Sequence, residues 1–139
     1  MRMADLHHFP IRVYYEDTDA AGIVYYANYL RFAERARTEW LRDLGHPHQA
    51  MIDGPGLAFA VRRCVVDYLR PAKLDDLLSV VSLVTDVKAA SLELVQDVRR
   101  DADILARLEI KLACLDNSLR PARIPEALRN RLTEAMRGN

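Results

Sequence analysis

Three carboxylates stand close together near the start of the chain, directly before a glycine and an apolar run. Glu16, Asp17 and Asp19 belong to the stretch YYEDTDAAGIVYYANYL (Tyr14–Leu30), whose other residues are mostly aromatic or small rather than basic. A carboxylate in such surroundings can act as a nucleophile or as a general base toward an acyl carbonyl. The same spacing would equally suit an acidic loop that supports its own turn or caps the following helix.

A long helix is predicted directly after these carboxylates, and its start lacks a capping side chain. The helical pattern begins near residues 24–27, and none of residues 23–26 is Ser, Thr, Asp or Asn. The first amides of a helix have no partner within it, and with the helix dipole they can hold an oxygen that is becoming negative. A carboxylate and an oxyanion site would therefore lie a few residues apart. Gly22 between them permits a tight turn or the close approach of a ligand.

The relative direction of the carboxylates depends on how far the first strand extends. FPIRVYYE (Phe9–Glu16) is rich in β-branched and aromatic residues and is predicted to be a strand. If this strand continued through residue 19, Asp17 and Asp19 would face one way and Glu16 the other.

The predicted helix in VYYANYLRFAERARTEWLRDLG has about five turns and one stripe suited to burial. Gly45 is a suitable stop for it, and Pro47 follows. The stripe recurs at steps of three and four residues, and its members are Tyr26, Tyr29, Leu30, Ala33, Ala36, Arg37, Trp40, Leu41 and Leu44.

Four further extended segments follow the helix, separated by short breaks that favour antiparallel pairing. They are Leu57–Arg70, Leu77–Val87, Ser91–Arg100 and Asp103–Asp116. A short helix is predicted in IPEALRNRLTEAM, with Pro125 near its first position. The only large partner for the long helix is the sheet, so the fold class is α+β: a five-stranded antiparallel sheet wrapped around one central helix.

Composition limits the classes of function. The 139 residues are half hydrophobic, which suits one domain spanning residues 1–139. Lys plus Arg equals Asp plus Glu at 20 each, so no net charge draws the protein to nucleic acid. We expect no membrane insertion, no secretory signal and a cytoplasmic location. Cys64 and Cys114 are predicted to be reduced core residues, and neither a metal site nor a cofactor is expected.

The long acidic and helical motif resembles that of a known family. YYEDTDAAGIVYYANYLRFAERAR is similar to the signature of the hot-dog-fold acyl-CoA thioesterases of the 4-hydroxybenzoyl-CoA thioesterase type. It is especially similar to the bacterial branch associated with the Tol-Pal envelope system, and VRRCVVDYLRPAKLDDLL (Val61–Leu78) extends the likeness. The resemblance covers roughly residues 9–116. It implies a hot-dog fold, in agreement with the element order above, and hydrolysis of an acyl-CoA to free acid and CoA.

The resemblance also implies roles for individual residues. Asp19, the second aspartate of D-x-D, matches the catalytic carboxylate, acting directly or through water. The backbone N–H of Tyr26 matches the group that binds the thioester carbonyl, although many members of the Tol-Pal-associated branch have histidine there. Asp17 is expected to support the loop beside the substrate, with Gly22. Tyr25 and Tyr29 either line the acyl pocket or belong to the core.

The phosphates of CoA require local cations, and the candidates are Arg62, Arg63, Lys88, Arg99 and Arg100. Lys88 in VKAASLEL matches one position of a basic turn in the resembling enzymes, while Ala89 and Ala90 replace others. Arg62 and Arg63 on the second strand have a solvated or subunit-interface role as their alternative, because adjacent strand residues face opposite sides.

The expected assembly is a homodimer or homotetramer with each site between subunits, because one sheet on one helix leaves an edge exposed. Acyl-carrier or envelope-associated proteins are further expected partners. Two alternatives remain open: a thioesterase dedicated to an aromatic substrate such as 4-hydroxybenzoyl-CoA, and a non-catalytic protein that binds acyl-CoA or an acyl carrier.

Overall fold

The computed structural model describes residues 6–137, in which five strands and three helices follow the predicted order. The strands are β1 (His7–Arg12), β2 (Ala58–Tyr68), β3 (Leu77–Val87), β4 (Ser91–Arg100) and β5 (Asp103–Leu115). The helices are α1 (Asn28–Asp43), α2 (His48–Asp53) and α3 (Glu126–Arg137). One turn of 3-10 helix covers Tyr15–Asp17.

The strands form one antiparallel sheet in the order β1-β3-β4-β5-β2. The helix α1 buries one stripe against the sheet, and α3 adds Leu128 and Leu132 to the same core. This arrangement confirms the predicted α+β hot-dog fold. The apolar and aromatic residues that α1 buries are Tyr29, Phe32, Ala33, Ala36, Trp40 and Leu41.

The predicted start of α1 and part of its stripe are wrong. The helix begins at Asn28 rather than at residues 24–27, so Tyr26 lies in the turn that precedes it. Tyr26 and Leu30 are 62% and 42% exposed, whereas Phe32, absent from the predicted stripe, is fully buried. The flank of α1 that carries Leu30 is therefore open, and the buried stripe is rotated away from it.

The predicted extent of the first strand is also wrong. The strand β1 ends at Arg12, and the 3-10 turn replaces the expected strand up to Glu16. Asp17 and Asp19 do not share a face, since Asp17 is buried and Asp19 is exposed. The carboxylates are instead separated by a change of backbone direction.

The strand β2 is the edge of the sheet beside β5 and contains one irregularity. Val61 pairs with Leu112 and Arg63 pairs with Lys111, so Arg62 is the extra residue of a bulge. Most of β2 is exposed or half-buried. Eleven residues of strand therefore present an unpaired edge in the chain as described.

Candidate active site

Asp17 is a buried carboxylate that joins the loop to the start of α1. Its side chain accepts hydrogen bonds from the Tyr14 amide at 2.8 Å and from the Asn28 side-chain amide at 2.9 Å. Its backbone carbonyl accepts a third hydrogen bond, from the Tyr25 amide at 2.9 Å. Asp17 is 3% exposed, so its carboxylate holds the protein together and offers little surface to a substrate.

Asp19 lies at an exposed tight turn. Its Oδ1 accepts a hydrogen bond from the Ala21 amide at 2.8 Å, and its carbonyl accepts one from the Gly22 amide at 3.0 Å. Gly22 has φ of +79°, a conformation that suits glycine. Among the described residues, none donates to Oδ2 of Asp19. This oxygen is therefore available to a substrate or to a water molecule.

The backbone amide of Tyr26 lies immediately before the first turn of α1. Ala27, the residue at the cap position, offers no side-chain acceptor, and the Asn28 amide bonds back to the Tyr25 carbonyl at 2.8 Å. Within residues 6–137, no acceptor bonds to the amide of Tyr26. A free amide at the positive end of a helix suits a carbonyl oxygen that gains negative charge.

An aromatic cleft of about 330 Å³ opens beside this amide. The Tyr68 hydroxyl donates to the Tyr26 carbonyl at 3.1 Å, and the rings of Tyr29 and Tyr68 meet edge to face at 5.6 Å. Tyr68 was not among the predicted site residues, although it closes β2 within the stretch that carries the family resemblance. The cleft is lined by Ile23, Val24, Tyr26, Tyr29, Tyr68, Leu69, Arg70 and Pro71.

Tyr25 and Tyr29 differ in their positions. Tyr29 is 3% exposed, and burial raises the pKa of its hydroxyl, which accepts a hydrogen bond from the Ala72 amide at 3.1 Å. It is thus a core residue that also lines the cleft. Tyr25 is 46% exposed and does not line the cleft. The centroid of its ring lies 4.9 Å from that of Tyr26.

The loop before β3 forms the far wall of the cleft and is fixed by an ion pair. Asp76 accepts from Arg100 at 2.8 Å and from the Lys73 amide at 2.9 Å. Burial alone would raise the pKa of Asp76, but these two hydrogen bonds outweigh it and lower the pKa. The same loop binds the acidic segment through the Ala72 carbonyl, which accepts from the Val24 amide at 2.9 Å.

Lys88 and Arg62 are not brought to the cleft of the same chain. Lys88 follows β3, whereas the cleft loop precedes it, and eleven residues of strand span roughly 33 Å. The Lys88 side chain is 62% exposed, and its Nζ lies 3.9 Å from Asp86. Arg62 is exposed at the bulge of β2, six residues before Tyr68. A role for either residue at the cleft would need a second copy of the chain.

The described part of the chain offers neither a metal site nor a membrane-spanning helix. Residues 6–137 hold no group of three or more His, Cys, Asp or Glu side chains placed to bind a metal ion. None of the helices within that range combines the length and the apolar character required to cross a membrane.

Comparison with known proteins identifies the class that this fold and site define, which is that of the hot-dog thioesterases. The chain superimposes on the crystal structure of a probable thioesterase from Bartonella henselae with a TM-score of 0.84 and 33% identity. The match covers 86% of this chain and 99% of that one. The predicted hot-dog fold and the predicted class, a thioester hydrolase, are therefore confirmed.

The chain belongs to the Thioesterase-like superfamily, whose profile matches residues 13–132. It is 45% identical to the acyl-CoA thioesterase YbgC of Haemophilus influenzae over 87% of this chain and 90% of that protein. It is 40% identical to the acyl-CoA thioester hydrolase YbgC of Escherichia coli over 88% and 92% of the two chains. These relatives confirm the predicted membership among bacterial acyl-CoA thioesterases of the YbgC type, whereas the association with the Tol-Pal envelope system stays a prediction.

Proposed function

We propose that this protein hydrolyses acyl-CoA to free acid and CoA with Asp19 as the essential carboxylate. The proposal rests on an exposed carboxylate on a tight turn and, seven residues further on, the Tyr26 amide, for which residues 6–137 offer no acceptor. The turn is tied to the cleft by the hydrogen bond from the Asp19 amide to the Ile23 carbonyl at 2.9 Å. The acyl-CoA thioesterases among the relatives support this substrate class.

The chemistry follows from these two groups. The thioester carbonyl points its oxygen at the Tyr26 amide, which stabilises the negative charge that develops there. Asp19 either removes a proton from the attacking water or attacks the carbonyl carbon itself to form an anhydride that water then opens. In both routes the carbon–sulfur bond breaks, CoA leaves as a thiolate that takes up a proton, and the free acid remains.

The test is the Asp19→Asn substitution. Loss of a positioned general base lowers rates by about 10²–10⁴-fold, and we expect a fall of that size in kcat for release of CoA thiol. Glu16→Gln is the matched control, since Glu16 is an exposed carboxylate three residues away. The variant is expected to retain its fold because Asp19 is exposed. Turnover by Asp19→Asn close to that of the native protein would exclude the proposed mechanism.

A second candidate is favoured by the aromatic lining of the cleft. Tyr26, Tyr29 and Tyr68 offer ring faces and edges that suit an aromatic acyl group such as 4-hydroxybenzoyl. A panel of aliphatic and aromatic acyl-CoAs separates the candidates, since one dominant aromatic rate would identify a dedicated enzyme. Binding without release of thiol from any of them would identify a non-catalytic binding protein.

We also propose a homodimer, with a homotetramer as its further association. Antiparallel pairing of two β2 edges would bring the partner's β3–β4 turn, which carries Lys88, to the end of the combined sheet that holds this chain's cleft. Size-exclusion chromatography with light scattering tests this, and a monomer would contradict it.

One domain over residues 1–139, a cytoplasmic location and acyl-carrier or envelope-associated partners stay predictions.

A further inference from the structure

The last residue of β2 lies beside the first turn of α1 and is held there by the sheet. Tyr68 ends the strand, and its backbone pairs with that of Ala106 in β5. The next two amides, those of Leu69 and Arg70, both donate to the Leu105 carbonyl, at 2.8 and 3.0 Å. The backbone from which the Tyr68 side chain reaches α1 is therefore fixed, although the residue is 47% exposed.

Two tyrosines at the start of α1 orient the ring of Tyr68. Its centroid lies 6.2 Å from that of Tyr26 and 5.6 Å from that of Tyr29, with the ring planes at 80° and 67°. Both are edge-to-face contacts, an arrangement that aromatic pairs prefer. Tyr29 is itself fixed, since it is buried and its hydroxyl accepts from the Ala72 amide. In this orientation the Tyr68 hydroxyl donates to the Tyr26 carbonyl at 3.1 Å.

The carbonyl that Tyr68 binds belongs to the same peptide unit as the amide of Ala27. Because a peptide unit is planar, a bond that holds its carbonyl also sets the direction of its N–H. The Asn28 amide bonds to the Tyr25 carbonyl, whereas no acceptor within residues 6–137 bonds to the amide of Ala27. Ala27 therefore carries a second free donor at the helix start, next to that of Tyr26.

A hydrogen bond to the carbonyl of a peptide unit also strengthens the N–H at its other end. Hydrogen bonds in a chain polarise one another, by about 10–30% per bond. Burial raises the pKa of the Tyr68 hydroxyl, so this group stays protonated and can donate throughout the neutral range. The chain from Tyr68 through the peptide unit thus ends in a polarised donor beside the cleft.

We propose that Tyr68 is a positioning residue of the oxyanion site, whose hydroxyl holds the peptide unit of Ala27 so that its amide binds the thioester oxygen beside the amide of Tyr26. The inference rests on the proposed function and adds a second donor to it. Neither amide gains or loses a proton, and both stabilise the charge that develops on the oxygen. Loss of one such donor lowers kcat by about 10²–10³-fold, so a donor weakened by 10–30% should lower it about two- to eightfold.

Tyr68→Phe tests the positioning role, because it removes the hydroxyl and keeps the ring. The assay is thiol release from the fastest aliphatic and the fastest aromatic acyl-CoA of the panel, and Tyr15→Phe is the matched control at an 83% exposed tyrosine. We expect Tyr68→Phe to lower kcat about two- to eightfold for both substrates, with KM changed less than about twofold, since both share the reacting carbonyl. Tyr15→Phe should change neither constant. An unchanged kcat in Tyr68→Phe, or a rise in KM confined to the aromatic substrate, would overturn the inference.

Replacement of Ala27 by lactic acid tests the second donor directly. The replacement exchanges the N–H for an ester oxygen and keeps the methyl group, and it removes no hydrogen bond that this amide donates within residues 6–137. We expect kcat to fall by about 10²-fold or more. The same replacement at Ala102, an exposed residue of the turn between β4 and β5, is the control. Equal values of kcat in the two ester variants would exclude the Ala27 amide as a donor.

A nuclear magnetic resonance measurement on the ligand-free protein separates this inference from the proposed function. Tyr68→Phe should shift the amide nitrogen resonance of Ala27 more than that of Tyr26, whose N–H belongs to the preceding peptide unit. An unshifted Ala27 resonance would overturn the positioning role whatever the rates of turnover. If the shift is observed but the native protein releases no thiol from any acyl-CoA, the proposed function fails and the positioning of the peptide unit stands.

Discussion

Asp17→Ala removes the carboxylate that joins the acidic loop to the start of α1. The native side chain accepts from the Tyr14 amide at 2.8 Å and from the Asn28 side chain at 2.9 Å. Alanine leaves both donors without their acceptor. Asn28 is 8% exposed, so its amide has little access to water, whereas Tyr14 is 61% exposed and its amide has more.

The expected loss of stability follows from these two exposures. A hydrogen bond to a charged group contributes about 1.5–3 kcal/mol, and a buried donor left unpaired costs about 1–3 kcal/mol. The hydrogen bond from Tyr14 counts for less because water can replace its acceptor. Loss of both bonds should therefore lower the free energy of unfolding by about 2–4 kcal/mol. A chain of this length loses roughly 3 °C of Tm per kcal/mol, which predicts a fall of about 6–12 °C.

Urea unfolding and thermal melting measure this loss, and a double-mutant cycle assigns it. Combining Asp17→Ala with Asn28→Ala should show a coupling free energy of about 1–3 kcal/mol, because the two side chains are bonded directly. Glu16→Ala is the control, and as an exposed change it should stay within about 0.5 kcal/mol. A fall in Tm of less than about 2 °C for Asp17→Ala, or strict additivity in the cycle, would refute the reasoning.

Two further predictions concern the wall of the cleft. Because the folded protein lowers the pKa of Asp76, its ion pair with Arg100 stabilises the fold above the unfolded pKa of about 4, and the contribution is lost as pH falls through the lower folded value. Urea titrations should therefore show the full difference in the free energy of unfolding between native protein and Asp76→Asn at about pH 6, and a smaller difference toward pH 3. An equal difference at the two pH values would contradict this. Tyr29→Phe should cost about 1–2 kcal/mol in urea unfolding, since the Ala72 amide loses its acceptor. Tyr25→Phe, at an exposed position, is its control, and equal losses in both variants would contradict the assignment.

Strand boundaries could be predicted where the apolar runs end in short breaks. The predicted bounds of β3 and β4, Leu77–Val87 and Ser91–Arg100, agree with the structure. The first strand was predicted too long because Val13 and the tyrosines after it have the composition of a strand. The hydrogen bond from the Tyr14 amide to the Asp17 side chain turns the backbone there, and such local bonds compete with strand pairing.

The buried face of α1 could be predicted only in part. The spacing identified Tyr29, Ala33 and Trp40, yet missed Phe32 and included Leu30. Periodicity defines which residues share a side of a helix, but the width of the buried stripe depends on which neighbours cover each flank. Here the flank toward the edge strand is uncovered, and no local pattern in the helix records that.

The candidate site, too, could be predicted only in part from the sequence. Asp19 and Tyr26 are seven residues apart in one motif, so a local pattern could indicate both. Tyr68 joins them only because β2 ends beside the start of α1, which is a contact of tertiary structure. The position of Lys88 required the strand order, since the spacing of residues does not reveal at which end of a sheet a turn lies.

The missing cap of α1 places a stability–activity trade-off at one position. A good capping side chain contributes about 1 kcal/mol, and Ala27 supplies none. Selection for heat resistance would therefore favour Asp or Ser at residue 27. An aspartate there would stand next to the amide that the proposed mechanism reserves for the oxyanion and would oppose the charge that develops on it. Efforts to make this protein more robust should leave that alanine unchanged and improve other helix ends.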